Sequence, residues 1–89
     1  MKAYDLLDSP EKWTKGKYAR NKAGELADIK EGACWCVDGA LTLCYSGDSE
    51  YYKARKRLRN VVGFSIIGWN DAPERTFEEV QAALRKADV

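Results

Sequence analysis

Apolar residues are densest between Ala33 and Tyr45, and there they recur with the spacing of a helix. At about 100° per residue, one broad arc is shared by Cys36, Val37, Ala40, Leu41, Leu43 and Cys44. An apolar arc of that width is typical of a helix contacted by several neighbours. The pattern therefore predicts a central helix over about residues 31–46.

Two more helices are predicted on the C-terminal side. In segment 49–62, one apolar stripe is formed by Tyr51, Ala54, Leu58, Val61 and Val62, and Gly63 follows as a stop signal. In segment 76–88, Thr76 and Glu79 have the spacing of a capping box, in which a hydroxyl and a carboxylate satisfy free helix amides. That segment has its own stripe of Phe77, Val80, Ala83, Leu84 and Ala87.

The remaining segments are shorter. Residues 2–8 predict an opening helix. In segment 17–29, residues 17–20 and 25–29 flank the turn-forming residues 21–24, which predicts a small β-hairpin with Gly24 at a positive φ. The apolar run 64–69 predicts a buried extended segment or a buried connection. We therefore expect a mainly α fold over residues 1–89, a small single domain with a central apolar helix and a short β-hairpin or extended pair.

Composition narrows the functional classes. The formal net charge is +1, so no global field attracts nucleic acid or a membrane. Nothing approaches the roughly 20 apolar residues of a membrane helix, and Lys2, Asp5 and Asp8 interrupt the opening where a signal peptide would need an apolar run. The chain has 3 cysteines, an odd count that favours reduced thiols and a cytoplasmic location.

Catalytic groups are scarce. The chain contains 0 histidines, which removes the commonest general base and the commonest zinc partner of cysteine. Cys34, Cys36 and Cys44 are too closely spaced for a zinc ribbon, and we expect them to pack in the core. The sequence therefore predicts no catalytic residue, no metal and no cofactor.

Two polar stretches are candidate binding sites. Trp69, Asn70, Asp71 and Arg75 lead into the last helix, where they could line a polar pocket or simply hold a turn. On the polar face of the central helix, Gly39 suggests close approach of another backbone. We expect the Trp69 segment to cover this face, with an exposed Trp35 as the alternative. The candidate binding residues are Trp35, Asp38, Thr42, Trp69, Asn70, Asp71 and Arg75.

A third candidate is the basic face of the helix at 49–62. It places Tyr52 among Arg55, Lys56 and Arg59. Cations interleaved with an aromatic ring are what phosphate contact and base stacking require. The alternative interpretation is a solvated charged face.

Short motifs spread over most of the chain resemble a known family. They are Trp13-Thr14-x-Gly16, Cys36-x-x-Gly39-Ala40-Leu41, and Trp69-Asn70-Asp71 followed by Arg75-Thr76 and Glu79-Val80. They are similar to a family of small uncharacterised domains from bacteria and phages. That family has no established activity, so the resemblance implies no catalytic residue. It implies that the stretch from Trp69 to Val80 belongs to the defining architecture.

Three functional hypotheses remain. The first is a non-catalytic cytoplasmic binding or regulatory module that engages another protein, with a phage accessory protein as one form. The second is a nucleic-acid-binding module that uses the basic helix. The third is a small ligand-binding domain or enzyme that uses Asp38, Asn70, Asp71 and Arg75. The sequence leaves the partner and the oligomeric state open.

Overall fold

The structure, a computed structural model, describes residues 1–63 and 65–89. The described residues form five α-helices and two short strands: α1 (Ala3–Leu6), β1 (Ala19–Arg20), β2 (Cys34–Trp35), α2 (Val37–Cys44), α3 (Asp48–Val62), α4 (Ile66–Asp71) and α5 (Phe77–Ala87). Short 3-10 turns lie at Pro10–Lys12 and Ile29–Glu31. The mainly helical single domain expected from the sequence is confirmed.

The central helix is present but starts later than predicted. The prediction of 31–46 is wrong at its N-terminal end, because Cys34 and Trp35 are extended and pair with β1. Cys36 then caps α2, since its Sγ accepts a hydrogen bond from Gly39 N at 3.3 Å. A sulfur acceptor at a cap position is not one of the usual sequence signals for a helix start. The helical spacing of apolar residues continues from α2 back into β2, so the sequence pattern does not show where the helix begins.

The predicted short antiparallel strand pair is present, but it does not lie within segment 17–29. The tight turn at 21–25 is there, with Gly24 at φ +83 and Asn21 N donating to Glu25 O at 2.9 Å, so the positive φ is confirmed. Within segment 17–29, however, the pairing across this turn is a single bridge between Arg20 and Leu26. The two-stranded antiparallel ladder instead joins β1 to β2, with Ala19 opposite Trp35.

The two long C-terminal helices confirm their predictions. α3 ends before Gly63, whose φ of +98 suits a residue without a side chain. α5 begins at the predicted capping box: Thr76 Oγ1 accepts from Glu79 N at 3.2 Å, and Glu79 Oε1 accepts from Thr76 N at 2.9 Å. These two helices contact each other along their apolar stripes and form one wall of the core.

The run 64–69 is not an extended segment in the described residues. Phe64 lies outside them, and residues 66–71 form the short helix α4, capped by Ser65 Oγ, which accepts from Gly68 N at 3.1 Å. Ile66 faces the core, whereas Ile67 remains 41% exposed. Consecutive residues on a helix point about 100° apart, so one isoleucine lies inside and its neighbour outside.

The core is closed around α2. α2 contacts α1, α3 and α4, and α5 packs against α1 and α3. The largest fully buried apolar side chains are Leu7, Val37, Leu41, Leu58, Ile66, Val80, Leu84 and Val89. Full burial of each such side chain contributes about 1.5–3 kcal/mol. Both ends of the chain join this core, because Ala3 N donates to Val89 O and Tyr45 Oη donates to the same oxygen at 2.9 Å. Within the described residues, no helix has the length and apolarity needed to cross a bilayer.

Candidate functional site

Asn70 is the centre of a fully hydrogen-bonded corner between α4, α2 and the segment after the first 3-10 turn. It is 0% exposed, and its Oδ1 accepts from Trp13 Nε1 at 2.7 Å and from Val37 N at 3.0 Å. Its Nδ2 donates to Thr14 O at 3.1 Å and to Asp71 Oδ1 at 2.9 Å. Both ends of the amide are therefore used in holding three segments together. We call these residues the Asn70 corner.

The rest of the Trp69–Thr76 stretch is bound into the same part of the fold. Asp71 Oδ1 also accepts from Gly16 N at 3.0 Å. Arg75 lies over the Trp69 ring, 4.2 Å from its centroid, and its Nε donates to Trp69 O at 2.9 Å. A guanidinium nitrogen of Arg75 also lies 3.4 Å from the Glu79 carboxylate. The aromatic, amide, carboxylate and guanidinium groups predicted as a pocket thus contact one another or nearby backbone.

Trp35 does not stand on the polar face of the central helix, which corrects the sequence-based placement. It lies in β2, is 8% exposed, and its Nε1 donates to Ile29 O at 2.8 Å. The backbone that approaches Gly39 is also not the Trp69 segment: a Cβ at Gly39 would lie 2.1 Å from Tyr18 O. The close approach itself is confirmed, but segment 17–20 makes it.

Asp38 belongs to a second buried network, on α2 and α3. Its side chain is 6% exposed, and Oδ1 accepts from Tyr51 Oη at 2.6 Å and lies 3.8 Å from Arg55 Nε. Burial raises the pKa of Tyr51 to about 12, helped by the hydrogen bond to Asp38 and by the negative charge of that carboxylate. Thr42 Oγ1 donates to the backbone oxygen of Asp38 at 2.9 Å. We call Asp38, Tyr51 and Arg55 the Asp38 network.

Arg55 is incompletely satisfied in this network. Its Nε is buried and has no hydrogen-bond partner among residues 1–63 and 65–89, because 3.8 Å to Asp38 is an ion-pair distance rather than a hydrogen bond. The whole side chain is nevertheless 27% exposed. Arg55 therefore joins a buried carboxylate to the protein surface.

The predicted basic face is brought together at the surface. Tyr52, Arg55, Lys56 and Arg59 line one cleft of about 190 Å³, which we call the basic cleft. Tyr52 is 65% exposed and its ring meets Tyr51 edge-on, with centroids 5.2 Å apart. Tyr52 also borders a second cleft of about 260 Å³, which we call the tyrosine cleft, lined by Thr42, Tyr45, Ser46, Gly47, Asp48, Tyr51 and Tyr52.

A further surface was missed by sequence reasoning. A groove of about 320 Å³, which we call the apolar groove, is lined by Gly16, Lys17, Tyr18, Leu26, Cys36, Ile67 and Asp71. Tyr18, Leu26 and Ile67 are 50%, 69% and 41% exposed. The available signal was that Leu26 and Ile67 are large aliphatic residues in segments with no predicted helical stripe.

The cysteines are placed as core and cap residues. Burial raises the pKa of Cys36, whose Sγ is occupied by the cap of α2, and burial also raises the pKa of Cys44. Cys34 Sγ donates to Arg20 O at 3.9 Å. Across the described residues, no group of three or more acidic, cysteine or histidine side chains could hold a metal ion. A raised thiol pKa lowers the thiolate fraction that a nucleophile needs.

Comparison with known proteins identifies the family of this chain. The family model described as a family of unknown function (DUF6197) matches residues 1–88. The chain belongs to this family. No curated protein and no solved structure gives a match. Membership therefore agrees with the resemblance seen in the motifs, and it transfers no residue role from DUF6197 to this chain.

The residues of the short motifs seen in the sequence occupy structural positions in this fold. Trp13 and Asn70 are bonded to each other at 2.7 Å, Gly39 faces the Tyr18 backbone, and Thr76 and Glu79 form the α5 cap. Asp38 bonds to Tyr51, away from the hydrogen bonds that join Asn70 to Asp71. No observation favours an enzyme built from Asp38, Asn70, Asp71 and Arg75, and we do not propose one.

Proposed function

We propose that this protein is a non-catalytic binding module that engages another protein through the apolar groove. The observation that carries the proposal is the clustering of Tyr18, Leu26 and Ile67, three large apolar side chains at least 41% exposed, around one concavity. Single exposed apolar side chains are common on protein surfaces, but their concentration at a groove is typical of interaction sites. The three come from different segments, so the fold itself assembles the surface.

The groove favours an apolar side chain as its occupant. Its floor includes Cys36, which is 5% exposed and whose raised pKa keeps the thiol neutral. Its volume of about 320 Å³ is at the small end of ligand pockets. We therefore propose that the partner inserts one or two aliphatic or aromatic residues between Leu26 and Ile67.

The charged residues at the rim of the apolar groove indicate which polar group the partner carries. Lys17 lines the groove and is exposed, whereas the Asp71 carboxylate already accepts from Gly16 N and Asn70 Nδ2. An acidic group on the partner, next to its apolar anchor, would complement Lys17. We place this partner in the cytoplasm, because Cys34, Cys36 and Cys44 are all free thiols.

The test is capture from a native lysate with three forms of the protein. Leu26→Glu places a charge in the groove, and Ala82→Glu places the same charge on the exposed side of α5 as a matched control. We expect wild type and Ala82→Glu to retain the same protein and Leu26→Glu to lose it. A photo-crosslinker at Tyr18 should join the captured protein to the groove. Equal retention by Leu26→Glu, or no macromolecule retained by any form, would refute the proposal.

A further inference from the structure

We infer that the basic cleft and the tyrosine cleft together bind single-stranded nucleic acid, with phosphate on the cations of α3 and a base on Tyr52. The two clefts share Tyr52 and Tyr52 lies between their other lining residues. This site is distinct from the apolar groove, so the inference stands or falls independently of the proposed protein-binding function.

The cations are presented on one side of α3. Residues 52, 55, 56 and 59 follow the spacing that places side chains on a single helical face, while Ala54 and Leu58 on the other side are fully buried. Arg55, Lys56 and Arg59 are the three cations that line the basic cleft. Their clustering makes a local positive surface on a protein whose net charge is only +1. Such a surface is complementary to a phosphate backbone.

Lys53 and Arg57, two other cations of α3, do not line the basic cleft. Lys53 lies 3.8 Å from Glu50 on the same helix, whereas Arg57 donates to Asp88 O, at the end of α5, at 3.4 Å. Among the three cations of the cleft, Arg55 is paired with the Asp38 carboxylate of α2, which is 3.8 Å from its Nε and almost fully buried. It offsets part of the Arg55 charge and fixes the side chain near the cleft.

Arg55 has one buried donor in the Asp38 network. Its Nε is buried without a hydrogen-bond partner in the described part of the chain. This Nε lies beside Asp38 and is closed to solvent, so it anchors the side chain rather than contacting a ligand. A phosphate oxygen at the basic cleft would be bound by the terminal N–H groups of the guanidinium, because arginine binds phosphate through several N–H groups at once.

Tyr52 supplies the stacking surface. Its ring is 65% exposed and is supported edge-on by Tyr51, whose hydroxyl is held by Asp38 at 2.6 Å. A supported and exposed ring loses little freedom when a base stacks on it. The tyrosine cleft beside it has hydroxyl and carboxylate groups from Thr42, Ser46 and Asp48. Those groups can pair with the edge of a base, while Asp48 disfavours a phosphate on that side.

The arrangement selects single strands over duplex. In a duplex the faces of the bases are covered by neighbouring base pairs, so Tyr52 could contact only an unstacked base. A free nucleotide has the same two groups, a base and a phosphate, but it offers only one phosphate to three cations. Binding should therefore be strong for an oligonucleotide and weak for a mononucleotide.

The experiment is a fluorescence anisotropy titration of a short labelled oligo-dT and oligo-rU at several salt concentrations. Duplex DNA of the same length and unlabelled UMP serve as competitors. We expect binding at micromolar protein in low salt, with log K falling linearly with log salt. Tyr52→Ala should weaken binding about 5- to 150-fold, as expected for one stacked base. Tyr52→Phe should retain it.

Two double variants test the cations. Arg55→Gln with Arg59→Gln should flatten the salt slope by about 1.4, the loss of two phosphate contacts on a single strand. Lys53→Gln with Arg57→Gln removes the same charge from the same helix outside the cleft, and its slope should change much less. Tyr18→Ala, a tyrosine of the apolar groove, should bind as wild type does. Thermal unfolding of each variant checks that the fold is kept.

Each other outcome overturns the inference. Absence of binding at micromolar protein would make the basic face a solvated surface only. Equal slopes for the two double variants would remove the basic cleft from the site, and unchanged binding by Tyr52→Ala would remove the stacked base. Duplex that competes as well as the single strand, or UMP that competes at micromolar concentration, would refute the preference for single strands.

Discussion

The Asn70 corner and the Asp38 network both place a polar side chain in the interior, yet they differ in how completely it is satisfied. Asn70 has partners for its oxygen and its nitrogen, and it is 0% exposed. Asp38 accepts from Tyr51, but the Arg55 Nε beside it lacks a hydrogen bond within the described residues. The two networks meet on α2, where Val37 N bonds to Asn70 and Asp38 follows directly in the chain.

This difference separates a structural polar group from a surface site. A fully satisfied buried network fixes one arrangement of the chain and leaves no donor or acceptor for a ligand. The Asp38 network is only partly satisfied, and through the Arg55 side chain, which is 27% exposed, it extends to the surface at the basic cleft. The Trp69-Asn70-Asp71 motif thus explains how α4 is joined to α2, whereas the Asp38 network reaches the exposed side of α3.

The largest expected effect comes from removing the amide of the Asn70 corner. Asn70→Ala would leave Val37 N and Trp13 Nε1 buried without an acceptor and would leave a cavity. Unsatisfied buried donors cost about 1–3 kcal/mol each, so we expect a loss of about 3–5 kcal/mol in the free energy of unfolding. Urea denaturation followed by tryptophan fluorescence measures it.

Asn60→Ala is the matched control for this change. Asn60 lies on the exposed side of α3, and its loss should alter the free energy of unfolding by no more than about 0.5 kcal/mol. If Asn70→Ala were as mild as Asn60→Ala, the corner would not hold α4 to α2. Its hydrogen bonds would then contribute specificity without stability, and the contrast with the Asp38 network would lose its basis.

The sequence predicts an element correctly when the residues that determine its bounds lie within that element. The α5 cap was readable because Thr76 and Glu79 satisfy each other within four residues, and α3 because its stripe and Gly63 are contiguous. The start of α2 was not readable, because Trp35 is held extended by pairing with Ala19, 16 residues earlier, and by a parallel bridge to Trp13. A helical periodicity continues through such a boundary when the strand is apolar as well.

The candidate sites also differ in whether their residues lie in one element or in several. Tyr52, Arg55, Lys56 and Arg59 could be grouped in advance, since one helix with a known spacing presents them all. The apolar groove could not, because Tyr18, Leu26 and Ile67 meet only when segments far apart in sequence fold together. The sequence left the role of Asn70 open for a related reason. An asparagine amide can bind a ligand or hold a structural corner, and only its hydrogen-bond partners in the fold distinguish the two roles.

An intermediate effect is expected where α2 approaches the backbone of segment 17–20. Gly39→Ala would place a methyl group 2.1 Å from Tyr18 O, and Gly39 directly follows Asp38. Better helix propensity offsets about 1 kcal/mol of an overpacking cost of about 3 kcal/mol. We expect a net loss of about 2 kcal/mol in the free energy of unfolding.

Gly47→Ala provides the comparison, because nothing lies within 4 Å of a Cβ built there and its φ of −102 suits any residue. Gly47 is the N-cap residue of α3, where alanine is less favourable than glycine, so that change should cost about 0.5–1 kcal/mol, less than Gly39→Ala. Amide proton shifts of Val37 and Asp38 would report how far the first turn of α2 moves in Gly39→Ala. A stabilised Gly39→Ala protein would contradict the close approach, and with it the tight coupling between the two polar networks.

The smallest of the three effects concerns the hydroxyl of the Asp38 network. Tyr51→Phe removes the 2.6 Å hydrogen bond to Asp38 and leaves the ring in place. We expect a loss of about 1.5 kcal/mol near neutral pH, the value for a hydrogen bond to a charged acceptor. Tyr52→Phe, on the exposed neighbouring residue, should cost no more than about 0.5 kcal/mol.

The pH dependence identifies the source of this loss. The pKa of Tyr51 is raised to about 12 in the native state, against about 10 in the unfolded chain. The unfolded state therefore releases the phenolic proton first, so this contribution to stability is complete below pH ~10 and is lost as pH rises towards 12. The difference between wild type and Tyr51→Phe in urea denaturation should therefore shrink between about pH 10 and about pH 12. Burial also raises the pKa of Tyr45, but Tyr45 is present in both proteins, so its effect cancels in that difference.

A difference that stayed constant across this window would mean that Asp38 does not hold the Tyr51 proton, and that Arg55 rather than Tyr51 is the partner on which the buried carboxylate depends.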